Sequence, residues 1–427
     1  MNFSDFGQKL TGDSGILRLM ADLGEKPPAD VKVYPLGGGN PAQIPEVEKL
    51  YRSEMEKILK DGRMFENLIG RYDGPQGNVE FIKMLASFFK KRFGWNITEE
   101  NICIANGSQS ACFYIFNLLA GTGTENGKKT LKKILFPLVP EYVGYADQGI
   151  EKDMFVSLPS RFEEYEDHTF KYFTDLPKVK DYLMQHDDVA AMCVSRPSNP
   201  TGNVLTNEEI KTLASYAHAH EIPLIIDNAY GLPWPSIIFN DKAELFWNED
   251  IILSMSLSKI GLPNLRTGII IARPEIVRAL SNLNSIIALA SGGFGQAVAL
   301  NLIKSGVLIE TAEKIVKPFY LEKNRKCQEY IHKYFKGTDY LVHKGEGSIF
   351  IWLLMRDLGV TSMEFYRILK KRGVIVVPGE YFFFGGESFA SHPHYSKCVR
   401  INYGCEDTLL EEGIRIMAEE AKKCSQK

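Results

Sequence analysis

Apolar positions along this chain follow two periods, and the change from one to the other divides it. From about Asn101 onward, short β-branched runs alternate with helical patterns. Ile102–Ala105, Lys133–Phe136, Met154–Ser157, Ala190–Ser195, Pro223–Asp227, Ile251–Met255 and Gly268–Ala272 read as strands. That alternation predicts an α/β fold with a mostly parallel, seven-stranded sheet. One intervening helix is well marked. Thr206 and Glu209 form a capping box ahead of Ile210, Leu213, Ala214 and Ala217 at helical spacing. Lys211, His218 and His220 fall mainly on its wet side, and histidines at i and i+2 do not share a face, so no metal site is read there.

After about Ser305 the pattern changes. A charged helical stretch runs through Tyr330, followed by strand-like Ser348–Leu354, a helix around Met363–Arg372, and strands Val374–Val377 and Cys398–Tyr403. The final helix carries Leu410, Ile414, Met417 and Ala421 on one face. These predict a smaller α+β domain. The expected division is an N-terminal segment over 1–55 packing on that domain, a large domain over 56–305, and the small domain over 306–427. Polar tracts Gly121–Lys129 and Glu163–Thr169 read as surface loops. The glycines of the first have the wrong spacing for a dinucleotide fingerprint and precede a strand instead of following one.

Composition narrows the classes without choosing among them. The 427 residues hold 50 Lys plus Arg against 53 Asp plus Glu, a net charge of −3, with 44% hydrophobic and 24% charged. A disordered or fibrous chain is excluded, and there is no basic field to hold nucleic acid. The longest apolar run, about Ile349–Met355, falls far short of the ~18 residues of a membrane span. Asp5 and Lys9 stand where a secretory signal would be apolar, so a cytoplasmic protein is expected. Seven cysteines, an odd number with no Cys-x-x-Cys pair, read as reduced core thiols.

Four segments at strand ends carry candidate chemistry, where open α/β sheets place ligands. Asn106-Gly107-Ser108-Gln109-Ser110 opens a helix after a strand, which suits a phosphate, though an ordinary capped turn explains it too. Asn199-Pro200-Thr201-Gly202 is turn chemistry that also offers an amide to a ligand oxygen. Asp227 ends the apolar run Pro223–Ile226 and either caps a turn or pairs with a buried cation. Ser256-Leu257-Ser258-Lys259 puts a lysine among hydroxyls, with Arg266 close behind to grip a phosphate. One ligand accounts for all four, pyridoxal 5′-phosphate. Its aldehyde needs a lysine, its phosphate a helix N-terminus with hydroxyls and an arginine, and its ring nitrogen a carboxylate.

In order and spacing these segments resemble the class I and II aminotransferases of the aspartate-aminotransferase superfamily, fold type I. The resemblance runs from Leu36 to Tyr403. Ser14-Gly15-Ile16, the stretch Leu36–Pro45, Tyr72-Asp73-Gly74-Pro75-Gln76-Gly77 and Pro140-Glu141-Tyr142-Val143-Gly144-Tyr145 are similar to the bacterial valine–pyruvate group within it. The resemblance implies that Lys259 takes the cofactor's aldehyde, Asp227 pairs with the ring nitrogen, and Asn199 and Tyr230 bond the ring oxygen. It places Ser108, Gln109, Ser256, Ser258 and Arg266 around the phosphate and Tyr142 against the ring. Tyr72 would reach the phosphate of a neighbouring subunit, implying a homodimer with shared sites. Gly39, Asn199 and Arg400 would hold the substrate, and Ile16 would help to form a small apolar side-chain pocket. Apart from the resemblance, Arg400 points away from Val399, Ile401 and Tyr403, as a solvent-facing charge would equally do. Pro263-Asn264-Leu265 depart from the glycine-rich spacing of many relatives, which leaves the loop shape open.

The implied reaction is ping-pong transamination between small aliphatic amino acids and 2-oxo acids, valine plus pyruvate giving 3-methyl-2-oxobutanoate and alanine. The rivals are a β-lyase on the same fold and a non-catalytic regulator that binds the cofactor. His392-Pro393-His394 lacks carboxylate or thiol partners and reads as loop. Tyr381-Phe382-Phe383-Phe384 reads as core or interface packing, and Ser291-Gly292-Gly293-Phe294-Gly295 as a flexible turn.

Overall fold

The computed structural model describes residues 2–12, 14–24, 31–125 and 127–425. Two sheets are built from β1 (Ile102–Ala105), β2 (Gly121–Glu125), β3 (Lys128–Val139), β4 (Phe155–Pro159), β5 (Arg161–Glu164), β6 (Thr169–Phe173), β7 (Val189–Ser195), β8 (Leu224–Asp227), β9 (Ile251–Ser256), β10 (Gly268–Ile271), β11 (Tyr340–His343), β12 (Phe350–Met355), β13 (Val377–Pro378) and β14 (Cys398–Asn402). The first sheet runs β1-β10-β9-β8-β7-β3, with β4 on the far side of β3. Of these seven expected strands only β10 runs antiparallel to its neighbours.

An eighth strand corrects the expected seven. Gly121–Lys129 is not a loop: β2 and the first half of β3 form an antiparallel hairpin, Gly121 opposite Lys132 through Glu125 opposite Lys128. Its turn carries Gly127 at φ +77°, the left-handed backbone a tight hairpin needs, while Asn126 of that tract lies outside the described residues. Glu163–Thr169 also departs from a plain loop. Its ends belong to the β5–β6 hairpin, with His168 at φ +58° in the turn. That hairpin joins the second sheet, whose order is β13-β14-β12-β11-β6-β5. The expected strand Val374–Val377 splits in two. Val374–Ile375 pairs in parallel with Tyr34–Pro35, and Val377–Pro378 pairs with β14.

Why the strands read as unbroken apolar runs is plain from where alternate residues go. Cys103, Cys193, Ile225, Ile252 and Ile270 enter one apolar cluster, together with Cys112. Ile104, Val194, Ile226, Leu253 and Ile269 enter the other. Each strand end is therefore clamped between two cores, and a side chain just beyond it has a fixed exit. All seven cysteines are free thiols, and all but Cys405 are buried. Among the described residues no helix is long and apolar enough to cross a membrane, and Phe350–Met355 is the fully buried β12.

The aromatic run after β13 pins the two sheets together. Phe382 meets Trp352 edge-on at 5.4 Å, and Phe384 meets Phe136 of β3 at 5.0 Å. Ser291–Gly295 is not a flexible turn but a tied entry into the helix Phe294–Lys304. Ser291 Oγ donates to Ile104 O at 2.9 Å, Gly292 N donates to Asn106 Oδ1 at 3.1 Å, and a Cβ on Gly295 would come within 2.0 Å of Thr267 Oγ1. His394 belongs to the second core, its Nδ1 2.6 Å from the hydroxyl of Tyr172 and its ring 4.3 Å from that of Phe162.

Burial, with His392 and Arg356 nearby, pushes the His394 imidazole down to about 3. A histidine depressed in the folded state favours folding fully above its unfolded value of about 6.5 and withdraws that support as pH falls toward 3. Urea unfolding at pH 7 and pH 5 should therefore show His394→Asn losing less stability on acidification than the parent chain, whose loss through this group is at most about 1.4 kcal/mol per pH unit.

Candidate active site

The carboxyl ends of β1, β7, β8 and β9 face β14 of the second sheet across a cavity of about 420 Å³. All the sequence-predicted site residues line it except Tyr72. Tyr72 is 84% exposed and sits in a separate open groove with Ile69, Ala290 and Gly292.

One corner is built for an anion. Gly107, at φ +86°, caps the helix Ser108–Leu119 without a side chain, so no acceptor covers the first N–H groups. Arg266 adopts φ +46° after the short 3₁₀ turn Pro263–Leu265 and lays its guanidinium against this turn, where a Cβ on Gly107 would fall 2.3 Å from Nη2. Gly268 lies against the same turn, and a Cβ there would come within 2.6 Å of the Gly107 carbonyl carbon. Ser256 Oγ accepts from Ser258 N at 3.0 Å, and both hydroxyls face the cavity. The Gln109 amide is turned aside, donating to Gly144 O at 3.0 Å.

Asp227 ends β8 with its carboxylate buried. Oδ2 accepts from the Tyr145 hydroxyl at 2.5 Å and Oδ1 from Ala229 N at 3.1 Å. Burial pushes this carboxyl up, and the two donors and the Lys259 charge pull it back. Lys259 Nζ donates to Gly39 O at 2.6 Å and lies 5.5 Å from the centre of the Tyr230 ring. Burial first, then the charges of Arg400 and Arg266, push its amine down to about 8. Such an amine is neutral in a useful fraction near neutral pH, as a nucleophile or proton acceptor must be.

Arg400 is not a solvent-facing charge. Buried at 2% exposure, it donates through Nη1 to Asn199 Oδ1 at 2.9 Å and through Nη2 to Gly37 O at 2.6 Å. Its guanidinium carbon lies 4.1 Å from the centre of the Phe350 ring, and its Nε has no partner. The bond to Asn199 uses that residue's oxygen and leaves its NH₂ to donate. Ile16, Met20 and Val143 are apolar side chains that also line the cavity, Met20 from an exposed position.

Sequence reasoning missed Tyr145 and Glu141, although both lie in the quoted segment Pro140–Tyr145. Glu141 carried the same signal as Asp227, an acid at the end of an apolar run.

The family model for aminotransferases of class I and II matches residues 158–416. Valine–pyruvate aminotransferase of Escherichia coli (strain K12) is 45% identical over 425 residues, covering 99% of each chain. The chain belongs to the class I and II aminotransferases. Among solved structures, a putative amino-acid aminotransferase from Psychrobacter arcticum 273-4 superposes with a TM-score of 0.96 at 39% identity, over 100% of this chain and 99% of that one. Valine–pyruvate aminotransferase from Salmonella typhimurium LT2 gives 0.87 at 42% identity, over 97% and 100%. The aminotransferase is thus a pyridoxal-phosphate enzyme, and its cavity suits the group. An uncapped helix end beside a guanidinium fits a phosphate, and a buried carboxylate with few cations near it fits a protonated ring nitrogen.

The contact between Gly268 and the Gly107 backbone sets a test. Gly268→Ala should push the start of the helix Ser108–Leu119 out of place and weaken pyridoxal-phosphate binding to the aminotransferase by about tenfold or more, a loss of at least ~1.4 kcal/mol. Titrating the apoprotein and following the visible band measures this, and far-ultraviolet dichroism checks that the variant is folded.

Proposed function

We propose that this aminotransferase moves the amino group between L-valine and pyruvate, yielding 3-methyl-2-oxobutanoate and L-alanine. The observation that carries the reading is full-length identity of 45% to an enzyme named for that reaction. The apolar wall of Ile16, Met20 and Val143 supports it, because a branched aliphatic side chain fits there without leaving a polar group unpaired.

Bound pyridoxal phosphate supplies an electrophilic aldehyde and a ring that makes the substrate's Cα–H acidic. The chain's own residues do the rest. Lys259 would be the amine that holds the cofactor's aldehyde, and its Nζ would accept the proton from the substrate's Cα and hand it on. Its lowered basicity keeps that amine able to accept a proton. Asp227, ionised, holds a proton on the ring nitrogen. Asn199 NH₂ and the Tyr230 hydroxyl would hold the ring oxygen, and Tyr142 would lie against the ring. Ser108, Gln109 (through its backbone N–H), Ser256, Ser258 and Arg266 hold the phosphate. Arg400, with Gly39 and Asn199 beside it, grips the substrate carboxylate as a planar fork, using N–H groups its two protein bonds leave over. Removing a buried charge of this kind leaves its partner uncompensated, typically at about 3–5 kcal/mol.

The working unit in this reading is a cytoplasmic homodimer whose subunits share sites. Tyr72, exposed beside Ile69 in a groove of its own, supports a role toward a second copy. The lobes in this reading are residues 56–305 and 306–427, with Tyr34–Pro35 held on the smaller one, Tyr51 reaching back to Ile260 of the larger, and β5 and β6 lent to the second sheet.

The reaction is tested by the absorption spectrum before and after L-alanine is added without an acceptor. The visible band of the lysine-bound cofactor should give way to the shorter-wavelength pyridoxamine form, with stoichiometric pyruvate and no ammonia. Adding 3-methyl-2-oxobutanoate should restore the band and release valine. A band that alanine leaves untouched would refute the small aliphatic substrate. Lys259→Ala should abolish turnover, and near wild-type rates would overturn its role. Ile16→Ala should lower the kcat/KM preference for valine over alanine by about 1 kcal/mol or more, roughly fivefold, and an unchanged ratio would remove Ile16 from the pocket.

A further inference from the structure

Behind the cavity lies a second buried carboxylate to which the transamination reading gives no task. Glu141 is 1% exposed and follows the end of β3. Its Oε1 accepts from Tyr142 N at 2.8 Å and from Ser195 Oγ at 2.5 Å, and its Oε2 from Ser195 N at 3.0 Å. Its own N–H donates to Phe382 O at 2.9 Å. One residue therefore ties together three parts of the site. They are the Tyr142 turn, the end of β7 that leads to Asn199, and the aromatic run beneath Arg400. Ser195 also stands opposite Asp227 in the ladder, so the two carboxylates are one strand apart.

We propose that ionised Glu141 is a positioning residue, holding the Tyr142 ring and the Ser195–Asn199 segment in the geometry that grips the cofactor, and that mild acid slackens this wall. The proposal rests on Tyr142 and Asn199 contacting the cofactor, as read above. Ionised, the carboxylate satisfies all three donors. Protonated, it loses the charge that strengthens the bonds from the two N–H groups, and the Ser195 hydroxyl must turn from donor to acceptor to keep its own. Burial pushes this carboxyl up to about 7, the charge of Asp227 works in the same direction, and the three donors work against both. The other ionisable groups around it are Cys112, Cys193, Tyr142 and Tyr145, all held in their neutral forms by burial, and the cations Lys259, Arg266 and Arg400 of the adjoining cavity.

The test uses the holoenzyme as wild type, Glu141→Gln and Ser195→Ala. It records visible circular dichroism of the bound cofactor from pH 5.5 to 9, with absorbance in parallel to separate the cofactor's own titration. The wild-type signal should fall toward acid with a midpoint near 7. Glu141→Gln should show the weakened signal throughout with no midpoint, kcat lower by about tenfold with KM nearly unchanged, and weaker pyridoxal-phosphate binding to the apoprotein. Ser195→Ala removes one donor that favours the ionised form, so its midpoint should move to higher pH. A Glu141→Gln enzyme that titrates like wild type would overturn the proposal. So would an unmoved midpoint in Ser195→Ala, which decides the matter alone if the glutamine variant does not fold. A wild-type protein with no visible band would instead refute the assignment of Lys259, and this proposal with it.

Discussion

The site depends on charges held in one crevice, Asp227 and Arg400 buried and Lys259 half-buried, and made to answer one another. Lys259, Asp227 and Arg400 all lie in the crevice between two apolar sheets, where an isolated charge costs several kcal/mol. None forms a direct ion pair with another. Tyr145 and Ala229 N–H steady Asp227, the carbonyl of Gly39 receives Lys259, and Asn199 with the carbonyl of Gly37 receives Arg400. Neutral partners of this kind hold an ion in place without neutralising it, so its field stays available to a ligand. Burial, joined by the charges of Arg400 and Arg266, lowers the Lys259 amine, which is what proton transfer at this site needs, while Tyr145 and the Ala229 N–H counter the burial that would keep Asp227 protonated.

Arg400 also shows how the two sheets are coupled. Its strand belongs to the second sheet, yet one hydrogen bond ends on Asn199, which follows β7 of the first, and the other on the N-terminal stretch at Gly37. Phe350 and Phe382 enclose its guanidinium between rings. A substrate carboxylate that engages Arg400 therefore touches three stretches of chain at once. Glu141 does the corresponding work on the other side, from β3 to β7 to the Phe382 carbonyl.

Much of this was legible in the sequence because the fold places chemistry at strand ends. Asp227 and Lys259 were visible as charged residues following apolar runs, and the strands themselves came from those runs. The second sheet was harder. The β5–β6 hairpin is mostly polar, and nothing local reveals that Thr169–Phe173 pairs with Tyr340–His343, a contact made across a long stretch of chain. The β2–β3 hairpin did carry a local signal, the glycine Gly127 that its turn requires, but its polar flanks read as loop. For Arg400, alternation gives the face and not what covers it. Tyr145 is silent in the sequence, because a phenol in an apolar stretch announces no partner, whereas Glu141 ends the apolar run of β3 as Asp227 ends that of β8.

The excursion of β5 and β6 into the second sheet has a consequence for synthesis. The chain leaves the first sheet after β4, contributes two strands elsewhere, and returns for β7. On the ribosome, β6 emerges well over a hundred residues ahead of β11, against which it pairs in parallel. Until then its inner edge offers unpaired N–H and carbonyl groups to any passing strand. The growing polypeptide must shelter that edge while the first sheet is completed, and severing the chain between β10 and β11 would leave the second sheet without two of its strands.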